Sequence, residues 1–280
     1  MAKPLKFDKI GSWSEVKLDI VREYAVPYSK IMTGQGFRHL YIDAFAGAGV
    51  HVSKATGEYV AGSPLNALLV EPPFRERHFI DLDHGRAELL RALARDALAE
   101  RPAGPEVFVY QGDCNEVLLE DVLPRAKYED RRRALCLVDP YGLDLDWEVL
   151  RRAGEMRSVD LFLNFPIMDM NRNALWRNPE GVDEADLSRM TRFWGDESWR
   201  QAAYRETLTL FGAEGEKAGN GVIAEAFRRR LHDAAGFAYV PKPIPMRNRK
   251  NAVVYYLFFA SQAKLGEKIA GYLFDKYGRE

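Results

Sequence analysis

Short apolar runs alternate along the chain with longer stretches in which apolar positions recur at helical spacing. The runs of β type are Arg38 to Phe45, Arg77 to Leu82, Glu106 to Tyr110, Ala134 to Asp139 and Val159 to Phe165. Ahead of the first, Ser14 to Met32 places Val16, Ile20, Tyr24 and Tyr28 at helical spacing. Between the second and third, Gly85 to Glu100 is rich in alanine and leucine and reads as a helix. Alternation of this kind predicts a parallel sheet covered by helices.

The end of the chain departs from that rhythm. Phe237 to Pro245 and Ala252 to Ala260 are both strand-like, and Met246 to Asn251 joins them. So short a connection requires an antiparallel pair. The expected fold is therefore α/β, with a seven-stranded, mostly parallel sheet whose last strand runs against the rest. The whole chain, 1–280, reads as a single domain. Residues 167–220 do not fit the alternation. They are rich in Trp, Arg, Asn and Asp, and are expected to form a helical insertion after the fifth strand, either a lid or a target-recognition element.

Composition narrows the class without naming it. Of 280 residues, 47% are hydrophobic and 29% charged, as in ordinary globular proteins. No stretch approaches the roughly 20 apolar residues of a membrane helix. Met1 to Ile10 has no apolar signal core, so a cytoplasmic protein is expected. The two cysteines, Cys114 and Cys136, form no CxxC pair, which argues against a disulfide framework and a structural zinc site. The five histidines show no metal spacing, and no metal is expected. A net charge of −1 means that a nucleic-acid partner would have to be met by a local basic patch.

Candidate chemistry collects at the strand ends. Asp43-Ala44-Phe45-Ala46-Gly47-Ala48-Gly49 follows the first strand. Gly47 and Gly49 let the backbone turn sharply and approach a ligand without a Cβ in the way. Ligands of open α/β sheets bind at such an end, where strand order reverses. A bare strand-to-helix turn is the competing reading. A dinucleotide fingerprint is disfavoured, because the third glycine of GxGxxG would fall at Val52 and the acid due about 20 residues later is absent until Asp81. Ser53-Lys54 reverses the order a Walker A loop needs. Gly62-Ser63-Pro64-Leu65 reads as a helix start with Ser63 as N-cap. Together with Thr56-Gly57-Glu58-Tyr59 it lies where a loop would close over a ligand.

Asp81 and Asp83 end the second strand. An acid there accepts from both ribose hydroxyls of a nucleoside, whereas Asp before a helical run is an N-cap. Asp81 is expected to contact ligand, and Asp83 is shared between the two roles. After the third strand, Asp113-Cys114 offers a carboxylate either to an adenine amino group or to the N-terminus of a helix over Asn115 to Leu123. The fourth strand ends in Asp139-Pro140-Tyr141-Gly142. Proline removes a backbone donor. The Asp139 carboxylate and the Pro140 carbonyl are then two acceptors, suited to the two hydrogens of an exocyclic amine. Tyr141 is suited to stacking on the flat base that carries it. Asp-Pro-x-Gly is also a common turn.

Taken in order, Trp13, Lys17-Leu18, Asp43 to Gly47, Gly62 to Leu65, Phe79-Ile80-Asp81, Gly112-Asp113 and Asp139 to Gly142 resemble the three-Cys-motif partner family, from Trp13 to about Phe165. The same order is similar to that of a bacterial 23S rRNA adenine-N6 methyltransferase, whose N-terminal motif lysine maps onto Lys17. The resemblance implies a Rossmann-like class I methyltransferase that binds S-adenosylmethionine (SAM) at Lys17, Asp43, Phe45, Gly47, Gly49, Ser63, Asp81, Asp113 and Cys114. It implies methyl transfer to an exocyclic amine of a nucleobase in DNA or RNA, served by Asp139, Pro140 and Tyr141. It also implies a three-Cys-motif partner protein. Adenine amino-methyltransferases usually carry Asp-Pro-Pro-Tyr. Here the second proline is absent and the aromatic moves forward by one, near the Asp-Pro-Phe-Gly of a tRNA guanine-N2 methyltransferase, so the base stays open.

Basic residues supply the expected nucleic-acid contacts: Arg228 and Arg229 on a helix, and Lys242, Arg247, Arg249 and Lys250 around the final hairpin. Arg172, Trp176, Arg177, Arg192, Trp194 and Trp199 in the insertion suit stacking on unpaired bases, or packing of the insertion on the core. A catalytically silent nucleic-acid binding module on the same fold is the alternative function.

Overall fold

The computed structural model describes residues 8–99, 105–209 and 212–278. The chain opens with β1 (Lys9–Ile10) and α1 (Ser12–Gly34), then β2 (Arg38–Asp43). A short excursion, β3 (Val50–Ser53) and β4 (Tyr59–Ala61), leads into α2 (Ser63–Leu68). The alternation resumes with β5 (Glu76–Asp81), α3 (His84–Leu98), β6 (Glu106–Gln111), α4 (Cys114–Val117), β7 (Arg132–Val138), α5 (Trp147–Glu155) and β8 (Val159–Phe165). Beyond it come α6 (Ile167–Asn173), α7 (Glu184–Trp194), α8 (Trp199–Ala203), β9 (Tyr204–Thr209), β10 (Gly212–Lys217) and α9 (Asn220–Asp233). β11 (Ile244–Arg247), β12 (Val253–Ala260) and α10 (Lys264–Tyr277) finish it.

Seven strands form the central sheet, in the order β11-β12-β8-β7-β2-β5-β6. β6, β5, β2, β7 and β8 are mutually parallel, while β12 runs antiparallel to both β8 and β11. This is the expected Rossmann-like sheet. The chain winds outward from β2 to β6, then returns to lay β7 on the other side of β2. The carboxyl ends of β2 and β7 therefore flank the point where strand order reverses. Both faces are covered, so the strands are apolar on both sides. Leu40 and Ile42 of β2 pack into one layer with Leu118, Leu150 and Phe227, while Tyr41 packs into the other with Tyr24, Phe74 and Phe274.

Four local expectations are corrected. The hairpin strand expected at Phe237 to Pro245 forms only at Ile244–Arg247, and upstream a single bridge joins Tyr239 to Ser261. Pro241 and Pro243 lack the N–H groups a longer ladder needs. The first strand stops at Asp43, not Phe45, because the glycine turn begins there. The helix expected at Asn115 to Leu123 starts at Cys114, widens to a π-helical turn at Leu118–Val122 and tightens at Leu123–Arg125, where Pro124 interrupts it. The insertion is helical only to Ala203. It closes with the antiparallel pair β9–β10, and β1, β3 and β4 form a small sheet that the sequence pattern did not announce. The expected helix over Gly85 to Glu100 is observed as α3, with Glu100 outside the described residues.

Among the described residues no helix is long and apolar enough to cross a membrane. The insertion is fused to the body of the protein. Trp194 and Trp199 are fully buried, and Phe193 stacks on Phe227. These tryptophans pack the core and are not available to bases. Arg189 pairs with Asp144 at 3.1 Å and Arg192 with Asp146 at 2.7 Å, tying α7 to the loop after β7.

Gly154 in α5 sits against the chain after α9: a Cβ there would lie 1.9 Å from the Ala235 carbonyl oxygen. Alanine would gain about 1 kcal/mol of helix propensity, but overpacking against backbone costs about 1–3 kcal/mol or more. Gly154→Ala should therefore lower stability by about 2 kcal/mol, seen as a lower urea midpoint at unchanged m-value. A midpoint at or above wild type would show that this contact does not constrain the fold.

Candidate active site

Parallel pairing brings the ends of β2, β5, β6, β7 and β8 to one edge of the sheet. Asp43, Asp81, Asp113, Asp139 and Asn164 all lie at or beside those ends. The last paired residues of β7 and β8 are Val138 and Leu163, so Asp139 and Asn164 follow side by side.

The turn after β2 is locked from below. Gly47 and Gly49 have φ of +64° and +79°, where a side chain is strained. The Gly47 N–H donates to Asp81 Oδ2 at 2.9 Å, and the Asp83 N–H donates to Asp81 Oδ1 at 2.8 Å. Each Asp81 oxygen keeps a further lone pair for a ligand. Gly62 closes on the same turn: its N–H donates to the Gly49 carbonyl at 2.8 Å, and a Cβ on Gly62 would meet that oxygen at 2.8 Å. Gly62, not Ser63, is the N-cap of α2. Ser63 instead stands beside Asp43.

Asp43 is fully buried under this turn. Its Oδ1 accepts a long bond from the Phe45 N–H at 3.4 Å, and no hydrogen bond of ordinary geometry reaches Oδ2. Burial raises its carboxyl to about 7. The Ser63 hydroxyl opposes that shift, and the neighbouring Asp139 charge adds to it.

Two cavities open on this edge. One, of about 610 Å³, is lined by Ala44, Asp81, Leu82, Arg86, Asp113 and Cys114 among others, and Arg192 of the insertion forms part of its wall. The other, of about 420 Å³, holds Lys17, Gly47, His51, Ser63, Asp139 and Asn164. Phe45 and Tyr141 line both and stand between them. Leu82, 73% exposed, presents an apolar face to the first cavity.

Lys17 comes from the first turns of α1, is almost fully buried, and forms a close ion pair with Asp139. Its ammonium also lies 5.5 Å from the centre of the Tyr255 ring, whose hydroxyl donates to the Trp13 carbonyl at 3.0 Å. The structure thus places Lys17 at the Asp139 end of the site. Asn164 is 7% exposed, and its Oδ1 has no partner. Burial first, and then the Lys17 charge, lower the His51 imidazole from its ordinary value. Sequence reasoning missed Asn164, His51 and Arg86. Only Asn164 left a signal, as a polar residue in an otherwise apolar strand end.

The remaining candidates divide. Asp83 and Asp113 cap their helices, accepting from Arg86 N–H and Asn115 N–H at 2.8 Å each, and Asp113 also lines the first cavity. Cys114 is buried and its thiol is pushed up to about 12, so it acts as wall, not as nucleophile. Arg228 is engaged by Glu225 and the Val240 carbonyl, and Arg229 is exposed but reaches Glu225 at 3.4 Å. Lys242, Arg247, Arg249 and Lys250 are exposed. β11 is parallel to β8, and Pro245 lies level with Phe165 across β12, so the Arg247–Lys250 turn projects from the same edge as the cavities.

No family model and no curated protein matches the chain. Among solved structures, protein LPL1258 of Legionella pneumophila, of the family model DUF519, aligns with a TM-score of 0.51 at 11% identity, covering 93% of this chain and 92% of that one. Trm1 of Pyrococcus horikoshii in complex with S-adenosyl-L-methionine aligns at a TM-score of 0.46 and 13% identity, covering 91% of this chain and 57% of its own. A DUF574 family protein of Streptomyces avermitilis aligns at 0.44 and 14%, covering 89% and 83%. The likeness to the Legionella protein is one of fold. The sheet order makes this a Rossmann-like α/β fold with its crevice at the strand-order reversal.

A carboxyl raised on folding loses its proton first in the unfolded chain. Asp43 therefore makes stability fall as pH rises from about 4 to about 7. Relative to Asp43→Asn, wild type should lose stability across that window, with a slope approaching about 1.4 kcal/mol per pH unit. Urea unfolding of both proteins at several pH values checks this. Asp160, raised to about 6, is present in both and cancels. Parallel profiles would show that Asp43 ionises normally.

Proposed function

We propose that the chain is a SAM-dependent methyltransferase acting on an exocyclic amine of a nucleobase. The observation that carries this reading is the Lys17–Asp139 pair: a carboxylate beside the glycine turn, at the strand-order reversal, already holds a nitrogen cation. SAM fits the residues present. Its ammonium and sulfonium are cationic, and Asp43 is a buried carboxylate with an unsatisfied oxygen beneath the turn. Its adenosine part suits the first cavity, with Asp81 for the ribose hydroxyls, Asp113 for the adenine amine and Leu82 against the ring. Phe45, Gly47, Gly49, Ser63 and Cys114 complete the walls. When bound, it supplies an electrophilic methyl group.

This chain's own residues do the rest. The target amine donates one hydrogen to Asp139 Oδ1, with Lys17 remaining paired to Oδ2, and one to the Pro140 carbonyl. The nitrogen lone pair is thereby aimed along the line of transfer, and alignment of this kind supplies much of the rate. Tyr141 stacks on the base. Asp139 is the carboxylate placed to take the proton the nitrogen sheds. Exposed Lys242, Arg247, Arg249 and Lys250 meet backbone phosphates, with Arg228 and Arg229 behind them. The insertion, 167–220, contributes to the wall of the donor cavity through Arg192. The motif order supports kinship with the three-Cys-motif partner family and with 23S rRNA adenine-N6 methyltransferases. RNA or DNA is the macromolecular partner, and a three-Cys-motif protein is the candidate protein partner.

Calorimetric titration with SAM, with NAD as control, should give saturable SAM binding alone. Asp139→Ala should abolish labelled-methyl transfer to unfractionated RNA or DNA while changing the SAM Kd less than about threefold. Asp43→Ala should weaken SAM about tenfold or more, roughly 1.4 kcal/mol. Equal loss of binding and transfer in Asp139→Ala, or NAD binding in place of SAM, would overturn the assignment.

A further inference from the structure

Tyr141 is a large aromatic left 69% exposed on the wall between two cavities, yet it is not loose. The Arg86 Nη1 donates to its hydroxyl at 3.3 Å, and the guanidinium lies 5.8 Å from the ring centre. Arg86 Nη2 pairs with Asp8 Oδ2 at 2.9 Å, and the Tyr141 hydroxyl also reaches that oxygen at 3.5 Å. Arg86 Nη1 stands 4.0 Å from Asp81 Oδ2. The three residues come from separate segments: the chain before β1, the first turn of α3, and the turn after β7. Arg86 lines the first cavity, Asp8 the second, and Tyr141 both.

An exposed ion pair between distant segments contributes little stability, about 0–1 kcal/mol. Its geometric effect is larger. A planar fork that meets a carboxylate with one nitrogen and a phenol with another fixes the phenol's position, which lysine cannot do. We propose that Arg86, anchored by Asp8, is a positioning residue that sets the Tyr141 ring for stacking on the acceptor base. This rests on the reading of Tyr141 as the stacking residue. Arg86 acts through Tyr141 and touches no reacting atom. A preset ring lowers the ordering cost of binding the acceptor, and the same guanidinium forms part of the donor cavity's wall.

The test uses full-length protein, SAM, and a single-stranded oligonucleotide carrying 2-aminopurine, whose fluorescence is quenched by stacking. Wild type should quench it, and Tyr141→Ala should remove the quenching. At saturating SAM, Arg86→Ala should weaken oligonucleotide affinity at least fivefold, and by a larger factor than it weakens SAM. Arg86→Lys should not restore it. The double variant Arg86→Ala/Tyr141→Ala should be no worse than Tyr141→Ala alone. Asp8→Asn, which leaves Arg86 in place, should shift affinity in the same direction and keeps the test open if Arg86→Ala misfolds. Wild-type quenching that survives Tyr141→Ala, or no quenching by wild type, would overturn the stacking reading and this proposal with it. A Tyr141→Ala effect without an Arg86→Ala effect would overturn the proposal alone. So would a SAM affinity that falls in step with oligonucleotide affinity, which would make Arg86 a donor-cavity contact instead.

Discussion

The reversal of strand order between β2 and β7 is the constraint on which the site depends. The crossover from β2 leads to β5 on one side and the crossover from β6 returns to β7 on the other, so no helix fills the space above the adjoining strand ends. Because the inner strands are parallel, every strand-end acid reaches the same edge. The crevice is a consequence of connectivity. Its contents are then set by small local devices: two left-handed glycines, one bonded to Asp81, and a Gly62 that must lack a Cβ to let α2 close on the turn.

Charge in this crevice is desolvated, and that cost is visible. Asp43 has no compensating cation in contact, so burial shifts its protonation toward neutrality. Asp139 is compensated by Lys17. Breaking such a pair by removing one partner leaves an uncompensated charge. A cationic ligand near Asp43 would relieve the charge imbalance that burial imposes there, whereas Asp139 is already balanced by Lys17. The elements that hold these groups are rigid: α1 is packed against Phe162 and Phe259 through Tyr24, and the insertion is tied down by buried Trp194 and Trp199.

The sequence by itself determined the order of the central strands and the helices between them, the antiparallel ending, and the positions of the strand-end acids. Those rest on short-range physics: short continuous apolar runs, helix propensity, and glycine where the backbone must turn. It left Asp83 and Asp113 divided between capping and ligand contact, because both roles select the same residue at the same place. It left Trp194 and Trp199 divided between stacking on bases and packing the core, since an aromatic among arginines looks alike whether it faces solvent or Phe227. Only the tertiary structure decided that Lys17, far from Asp139 along the chain, closes on it, that Arg86 joins Asp8 to Tyr141, and that Asn164 is buried with an unmatched oxygen. Such pairings depend on how the N-terminal segment and α3 are carried across the sheet edge. That depends on packing of whole layers, which no local spacing encodes.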